Sequence, residues 1–323
     1  MPRRFLVAPD SFKGTFDAFE VAAAIAGGIE AGGGTADRCP VADGGEGTMA
    51  VLLAALGGER HRAEVHDPLG RPIEASFALL ADGETAVVET AEASGLGLVA
   101  AEERDAERAD TFGSGELIAA ALASGARTVL VAVGGSATTD GGKGALAALR
   151  EAGALGAVSV EVLCDVQAPY EDAAPLFAPQ KGADPAAVER LSAQLEQLAS
   201  QFPHDPRGVV MTGCAGGLSG ALWAHGARLR PGAAFVLEAI GFDSRLAAAD
   251  AAIGGEGRFD AQSLRGKVVG EIALRCARAG KPLHLVVGGT RHDEEPPAAV
   301  SSIARAESLE EMRREGLRLA IPR

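Results

Sequence analysis

The chain has 323 residues and a mass of 32.6 kDa, a length that predicts two domains rather than one. Hydrophobic residues make up 47% and charged residues 23%, which argues against a disordered chain and predicts well-packed cores. Lys and Arg number 30 against 44 Asp and Glu, and the resulting net charge of −14 argues against a protein that coats nucleic acid or an anionic membrane.

Short apolar strands alternate with amphipathic helices at both ends of the chain. In the N-terminal third the spacing predicts a strand at 4–8, a helix at 16–31, a strand ending at Val41 and a helix through Leu56. In the C-terminal third it predicts strands at 249–253, 282–287 and 300–304, helices at 268–279 and 308–315, and a loop at 254–266. This alternation is typical of a doubly wound, Rossmann-like sheet.

The middle of the chain has a different pattern. Residues 62–99 predict a small antiparallel meander with a hairpin at Asp82-Gly83. Helices at 114–123, from Lys143 and at 184–201, with a strand at 128–133, are predicted to follow. The predicted fold class is therefore α/β, with a Rossmann-like domain built from both chain ends (1–62 and 235–323) and interrupted by a second, mixed α/β domain (63–234).

Targeting segments and cysteine chemistry are not indicated. The first apolar run is too short for a signal peptide, and no run approaches the ~18 to 20 apolar residues of a membrane span. The four cysteines lie far apart without CxxC spacing, which predicts reduced thiols rather than a metal site or disulfides. We therefore expect a cytoplasmic protein.

Five glycine-rich loops directly follow apolar strands, at 9–14, 42–48, 134–142, 254–260 and 288–290. Ligands bind at the carboxyl ends of strands in open α/β sheets, where helix N-termini offer amides to anions and glycine lets the backbone approach closely. Carboxylates and a lysine within such loops are the groups that phosphoryl transfer needs. Asp10 and Asp140 also fit a second role, as helix N-caps.

Two further lysines, Lys181 and Lys267, lie on glycine turns and suit a phosphate or a small carboxylate, although a solvated turn lysine is the alternative for each. Neither a GxxxxGK[ST] motif nor a GxGxxG after the first strand occurs, which argues against a P-loop enzyme and a nicotinamide dehydrogenase. The six histidines form no pattern and have no GxSxG partner, so a hydrolase triad is poorly supported.

Five motifs together resemble the bacterial glycerate kinase family. They are APDSFKG (8–14), PVADGGEGT (40–48), GGSATTDGG (134–142), APQKGA (178–183) and GEGRFDAQSLRGK (255–267). The resemblance implies a magnesium- and ATP-dependent kinase of D-glycerate, usually at the 2-hydroxyl, with its site in a cleft between two α/β domains. This chain is shorter than most members, and an expected strand-and-loop segment between Lys143 and Cys164 is nearly gone.

The predicted site residues follow from these loops and from the resemblance. The predicted catalytic residues are Asp260, Asp43, Lys267 and Lys13, and the predicted substrate-binding residues are Asp10, Ser11, Lys13, Arg258 and Lys181. The predicted ATP-binding residues are Gly134, Gly135, Ser136, Thr138, Gly44, Gly45, Gly255 and Gly257, and the predicted magnesium ligands are Asp43, Asp140 and Asp165.

The base that accepts the hydroxyl proton is predicted to be a carboxylate, because no histidine lies in a candidate loop. Asp260 is preferred, since Arg258 can keep it ionised on a glycine-flanked turn, and Asp43 is second. Asp10 is the other rival, with a stronger claim to a capping role, and Glu256, on the same loop as Asp260, is disfavoured because its side chain is longer and less stiff. We also expect Lys13, Lys181 and Lys267 to line one cleft, where their charge offsets anionic substrates.

Other functions stay open at this point. The alternatives are a kinase that forms 3-phosphoglycerate, or a nucleotide- and hydroxy-acid-binding protein that has lost turnover. An oxidoreductase is discounted by the missing dinucleotide fingerprint. The expected partner is a small molecule, D-glycerate, and neither nucleic acid nor a membrane. The sequence leaves the oligomeric state open, including a homo-oligomer.

Overall fold

The structure, a computed structural model, describes residues 2–156, 159–259, 263, 267–290 and 298–321. The chain divides into two compact units, the first made of Met1–Asp43 with Ala233–Arg323 and the second of Gly44–Gly232. The sequence predicted the first boundary at residues 62 and 63, whereas residues 44–62 belong to the second unit.

The first unit contains a five-stranded parallel sheet in the order β11-β10-β9-β1-β2. Its strands are β1 (Arg4–Pro9), β2 (Thr35–Arg38), β9 (Ala251–Phe259), β10 (Leu283–Thr290) and β11 (Val300–Arg305). Its helices are α1 (Ala18–Ala31), α9 (Gly232–Ala239, which begins at the unit boundary), α10 (Phe242–Ala247), α11 (Val268–Ala279) and α12 (Leu309–Ala320).

Helices cover both faces of this sheet. Phe5 and Val7 of β1 pack in one core with Ile25 of α1 and Met312 of α12. On the opposite face a Cβ at Gly254 would lie 3.9 Å from Ile272 Cδ1 of α11. Because side chains alternate across a parallel strand and both faces are covered, β1 is apolar almost throughout. The first unit is therefore doubly wound, as the sequence predicted.

The second unit contains a mixed six-stranded sheet in the order β3-β4-β5-β6-β7-β8. Its strands are β3 (Gly58–His66), β4 (Pro72–Leu80), β5 (Thr85–Glu89), β6 (Thr128–Ala132), β7 (Ser159–Cys164) and β8 (Arg228–Pro231). β3, β4 and β5 pair antiparallel, whereas β5 to β8 are parallel. The meander and the hairpin at Asp82-Gly83 are therefore confirmed.

The helices of the second unit pack around two cores. They are α2 (Thr48–Leu56), α3 (Ala91–Ser94), α4 (Phe112–Ala123), α5 (Lys143–Glu151), α6 (Ala173–Phe177), α7 (Pro185–Ala199) and α8 (Leu218–Ala224). The larger core joins the sheet to α4, α5 and α8, and a smaller one surrounds the fully buried Tyr170 beneath α7. None of the described helices combines the length and apolar composition needed to cross a membrane.

Two predicted elements differ in the structure. The predicted loop at 254–266 is wrong in its first half, because β9 continues to Phe259 with paired registers to both β1 and β10. The strand expected to be nearly gone between Lys143 and Cys164 is present as β7, which pairs with β6 and β8. The four cysteines are free and buried, as expected.

Candidate active site

A cavity of about 530 Å³ lies in the first unit beyond the carboxyl ends of β1, β9 and β10. It is lined by Asp10, Ser11, Phe12, Lys13, Thr15, Asp43, Glu256, Gly257, Arg258, Lys267, Gly288 and Glu307. Parallel strands place their carboxyl ends on one edge of the sheet, so loops distant in sequence meet there. The structure thereby brings together Asp10, Ser11, Lys13, Asp43, Arg258 and Lys267, which the sequence predicted separately.

The loop after β1 is tightly pinned. The Asp10 amide donates to Gly255 O at 2.9 Å, and the Phe12 amide donates to Phe16 O at 2.8 Å. The Thr15 hydroxyl donates to Phe12 O at 2.7 Å, and the Phe12 ring is buried. Hydrogen bonds and a buried ring therefore hold the backbone on both sides of Lys13. Asp10 does not cap α1, since that role belongs to Asp17 in a capping box with Glu20.

Two glycines of β9 lie where neighbouring backbone leaves little room for a side chain. A Cβ at Gly255 would lie 2.6 Å from Val286 O, and one at Gly257 would lie 3.2 Å from Phe12 Cα. Contacts this short leave little or no room for a side chain. Their small size therefore has a reason within the protein, and their predicted contact with ATP stays a prediction.

The pocket concentrates charges of both signs. Lys13 Nζ lies 3.4 Å from Asp43 Oδ2, and the Asp43 side chain is only 3% exposed. Burial, together with the neighbouring Asp43 carboxylate, raises the pKa of Asp10 to about 8, although Lys13 acts in the opposite direction. Asp10 Oδ1 also accepts from the Ser11 amide at 2.6 Å. The protonated form of Asp10, which can donate a hydrogen bond, is therefore more favoured than in an exposed aspartate.

The preferred base, Asp260, lies outside the described residues, although its neighbour Arg258 lines the pocket. Sequence reasoning missed Thr15 and Glu307 as lining residues. Glu307 carried a usable signal, since it lies two residues after β11 at the same carboxyl edge of the sheet. Thr15 carried none beyond its proximity to Lys13.

Lys181 belongs to the second unit and is almost completely buried. Its Nζ donates to Thr138 O at 2.6 Å and to Ser136 Oγ at 3.1 Å. Burial lowers the pKa of Lys181 to about 8, against the opposing effect of Asp140 and Asp165. The amine thus supports the loop after β6, and its predicted contact with substrate stays a prediction, as does a cleft shared with Lys13 and Lys267.

Both carboxylate oxygens of Asp140 accept hydrogen bonds from other residues of the protein. Its Oδ2 accepts from the Thr111 amide at 3.1 Å, the Thr111 hydroxyl at 2.8 Å and the Gly144 amide at 2.9 Å, and its Oδ1 accepts from the Gly142 amide at 3.1 Å. A carboxylate has about four acceptor positions. The helix-cap alternative therefore describes Asp140 better than the magnesium prediction, because this carboxylate caps the start of α5.

A second buried carboxylate, Glu89, occupies the start of α2. Glu89 is the last residue of β5, and its Oε1 accepts from the Met49 amide at 2.6 Å. Burial raises the pKa of Glu89 to about 7, as do the neighbouring Glu92 and Glu46, while bonds from the Met49 and Gly47 amides lower it. The N-termini of α2 and α5 were expected to hold phosphates, but their amides already bind these two carboxylates.

Replacing Glu89 by Gln should change how stability depends on pH. A pKa raised from 4.5 to about 7 means that the folded state retains a proton that the unfolded state has lost. The wild-type protein therefore loses stability as the pH rises from about 4.5 to 7, by up to ~3 kcal/mol, and Glu89→Gln should not. Urea unfolding across this range measures the effect, and parallel stability curves for the two proteins would contradict it.

Comparison with known proteins adds to this geometry. A model of the glycerate kinase family matches residues 5–152 and 150–319, which together span nearly the whole chain. The chain belongs to the glycerate kinase family. It is 37% identical to the glycerate kinase of Haemophilus influenzae (90% of this chain, 87% of the relative) and 36% identical to the glycerate 2-kinase of Escherichia coli (90% and 86%).

The fold comparison agrees. A crystal structure of a protein described as glycerate kinase 2, from Salmonella typhimurium LT2, matches with a TM-score of 0.83 and 33% identity over 99% of this chain and 98% of that one. The chain is therefore an enzyme of the kinase class that acts on a small molecule. The two parts of the family match meet at residues 150–152, within the segment that the sequence indicated to be shortened.

Proposed function

We propose that this enzyme transfers the γ-phosphoryl group of ATP to the 2-hydroxyl of D-glycerate, giving 2-phosphoglycerate, ADP and a proton. The observation that carries the proposal is the pocket of the first unit, which is lined by Lys13, Arg258 and Lys267 together with Asp10 and Asp43. Cations there suit an anionic hydroxy acid and an incoming phosphoryl group, and carboxylates suit its hydroxyls.

Several side chains of the pocket have a proposed role. Lys13 and Arg258 bind the glycerate carboxylate, and Lys267 neutralises charge that develops on the transferring phosphoryl group. Ser11 and Asp10 orient the substrate by hydrogen bonds. Asp260 accepts the proton of the attacking hydroxyl, with Asp43 as the second candidate.

Magnesium fits this set of residues with Asp43 as its protein ligand. Mg²⁺ keeps several waters and takes one or two carboxylates together with nucleotide phosphates, so it does not require a protein cage. Consistent with that, no cluster of three or more metal-ligating side chains occurs among the described residues. When bound, the ion would neutralise phosphate charge, and Asp165, which follows β7, stays a second candidate ligand.

ATP is proposed to contact the glycine loops of the second unit. A Cβ at Gly134 would lie 2.6 Å from Gly45 Cα, so these two loops approach backbone to backbone. Lys181 supports the first of them through Ser136 and Thr138. Since the amides at the starts of α2 and α5 are occupied, phosphates would bind to Gly134, Gly135, Gly44 and Gly45 and to the Ser136 hydroxyl instead.

Phosphorus NMR of the product tests the proposal directly. Purified enzyme with ATP, Mg²⁺ and D-glycerate should give the 2-phosphoglycerate resonance, which differs from that of 3-phosphoglycerate. A 3-phosphoglycerate signal would move the acceptor to the other hydroxyl. Binding of ATP and glycerate without any phosphoglycerate would favour a binding protein that has lost turnover.

A further inference from the structure

The segment that follows Asp43 forms the start of α2, and we call residues 43–47 the Asp43 loop. The N-cap of α2 is Gly47, which is left-handed with φ of 93° and has no side chain to accept from the first helical amides. A helix start needs such an acceptor, and Ser, Thr, Asp or Asn normally supply it at the N-cap itself. The Asp43 loop thus needs an acceptor from elsewhere in the chain.

Glu89 is that acceptor. It lies 40 residues further along the chain, yet its Oε1 is 2.6 Å from the Met49 amide, and it also bonds the Gly47 amide. The residue is 5% exposed, so water does not compete freely for these donors. A buried carboxylate that bonds two amides of one turn fixes both the position and the orientation of that turn.

The Asp43 loop is held on both sides of Asp43. Upstream, the Val41 amide donates to Pro9 O at 3.1 Å, next to the pinned loop after β1. Downstream, the Val133 amide donates to Gly44 O at 3.0 Å, and a Cβ at Gly44 would lie 2.7 Å from Gly232 Cα. The Thr48 amide also donates to Gly45 O at 3.3 Å, so the turn that Glu89 holds is joined to Asp43 by a short, hydrogen-bonded segment.

We propose that Glu89 is a positioning residue for phosphoryl transfer, because its bonds to the Gly47 and Met49 amides set the placement of the Asp43 carboxylate in the pocket. This inference rests on the proposed role of Asp43 in the reaction. Glu89 does not touch the substrate. It acts through the Asp43 loop, and reacting groups lose efficiency steeply when they are displaced by even about 1 Å.

Three variants of Glu89 separate positioning from simple helix capping. Glu89→Ala removes the acceptor and should lower kcat by ~10-fold or more, with KM for glycerate changed by less than about 3-fold. Glu89→Gln keeps one acceptor oxygen for the Met49 amide and should recover part of the kcat that Glu89→Ala loses. Glu89→Asp keeps the carboxylate but is one methylene shorter, so it should lower kcat while it keeps most of the thermal stability, which guards against misfolding of the Ala variant.

Glu116→Ala is the matched control. Glu116 is also a carboxylate of the second unit that accepts from a backbone amide, that of His66 at 2.8 Å, but it lies on α4 and not on the Asp43 loop. Its loss should reduce stability and leave kcat unchanged. All assays are run well below the midpoint of thermal unfolding of each variant, so that kcat reports folded enzyme.

The outcomes test the positioning role of Glu89 separately from the proposed role of Asp43. If Glu89→Ala and Glu89→Asp lose stability but keep kcat, Glu89 is only a helix cap and the inference is wrong. If Glu89→Gln is as slow as Glu89→Ala, positioning by hydrogen bonds is also wrong. Asp43→Asn is measured in parallel. Full activity of that variant would overturn the role of Asp43, whereas an inactive Asp43→Asn with active Glu89 variants overturns only the inference.

Discussion

Replacing Lys267 by Ala should lower kcat by ~10²-fold or more, the scale for removing one donor that stabilises transition-state charge. Lys267 is the N-cap residue of α11 and lines the same pocket as Asp10 and Asp43, which follow β1 and β2 in the sequence. In a protein of net charge −14, anionic substrates need local cations, and the pocket supplies three of them. Steady-state kinetics with ATP, Mg²⁺ and D-glycerate measure the loss.

Two further variants sharpen the Lys267 prediction. Lys267→Arg keeps the charge and should recover part of kcat, although a planar guanidinium does not place its donors as an ammonium does. Lys143→Ala removes the same charge from an exposed position at the start of α5 and should leave kcat unchanged. If Lys267→Ala and Lys143→Ala behave alike, Lys267 acts only through the overall charge and not at the reacting phosphoryl group.

The sequence predicted which loops meet at the pocket, because their meeting depends only on the topology of the sheet. Asp10, Asp43 and Arg258 each lie at or just beyond the end of an apolar run, and ends of parallel strands share one edge of the sheet. The 268–279 helix was predicted to the residue, since its apolar spacing is regular and Gly280 ends it in a left-handed conformation. Sequence patterns were sufficient to predict the elements whose structure depends on residues close together in the chain.

The rest depended on contacts between distant residues. Whether a helix N-terminus can take a phosphate depends on which side chain already caps it, and Glu89 lies 40 residues from Met49 while Thr111 lies 29 from Asp140. Glycine propensity favoured a loop after Ile253, but pairing with β1 and β10 on both sides keeps β9 extended to Phe259. Likewise, no pattern around Lys181 shows that its amine is buried against Ser136 and Thr138.

Replacing Asp260 by Asn should lower kcat by ~10²- to 10⁴-fold, the usual contribution of a general base. Asn keeps the shape and hydrogen bonding of Asp but cannot accept the hydroxyl proton at neutral pH. Asp260 follows β9 in the sequence, and Arg258, two residues before it, lines the pocket. KM for glycerate should change little, because only the proton acceptor is lost.

The same substitution at Asp43 decides between the two candidates. Asp43→Asn also weakens the 3.4 Å ion pair with Lys13, so it should raise KM for glycerate as well as lower kcat if Asp43 binds magnesium or positions Lys13. If Asp260→Asn retains near-normal kcat and KM, Asp260 is not the base, and the assignment moves to Asp43. In that case the remaining activity of Asp43→Asn should rise with pH, because more substrate alkoxide then replaces the missing acceptor.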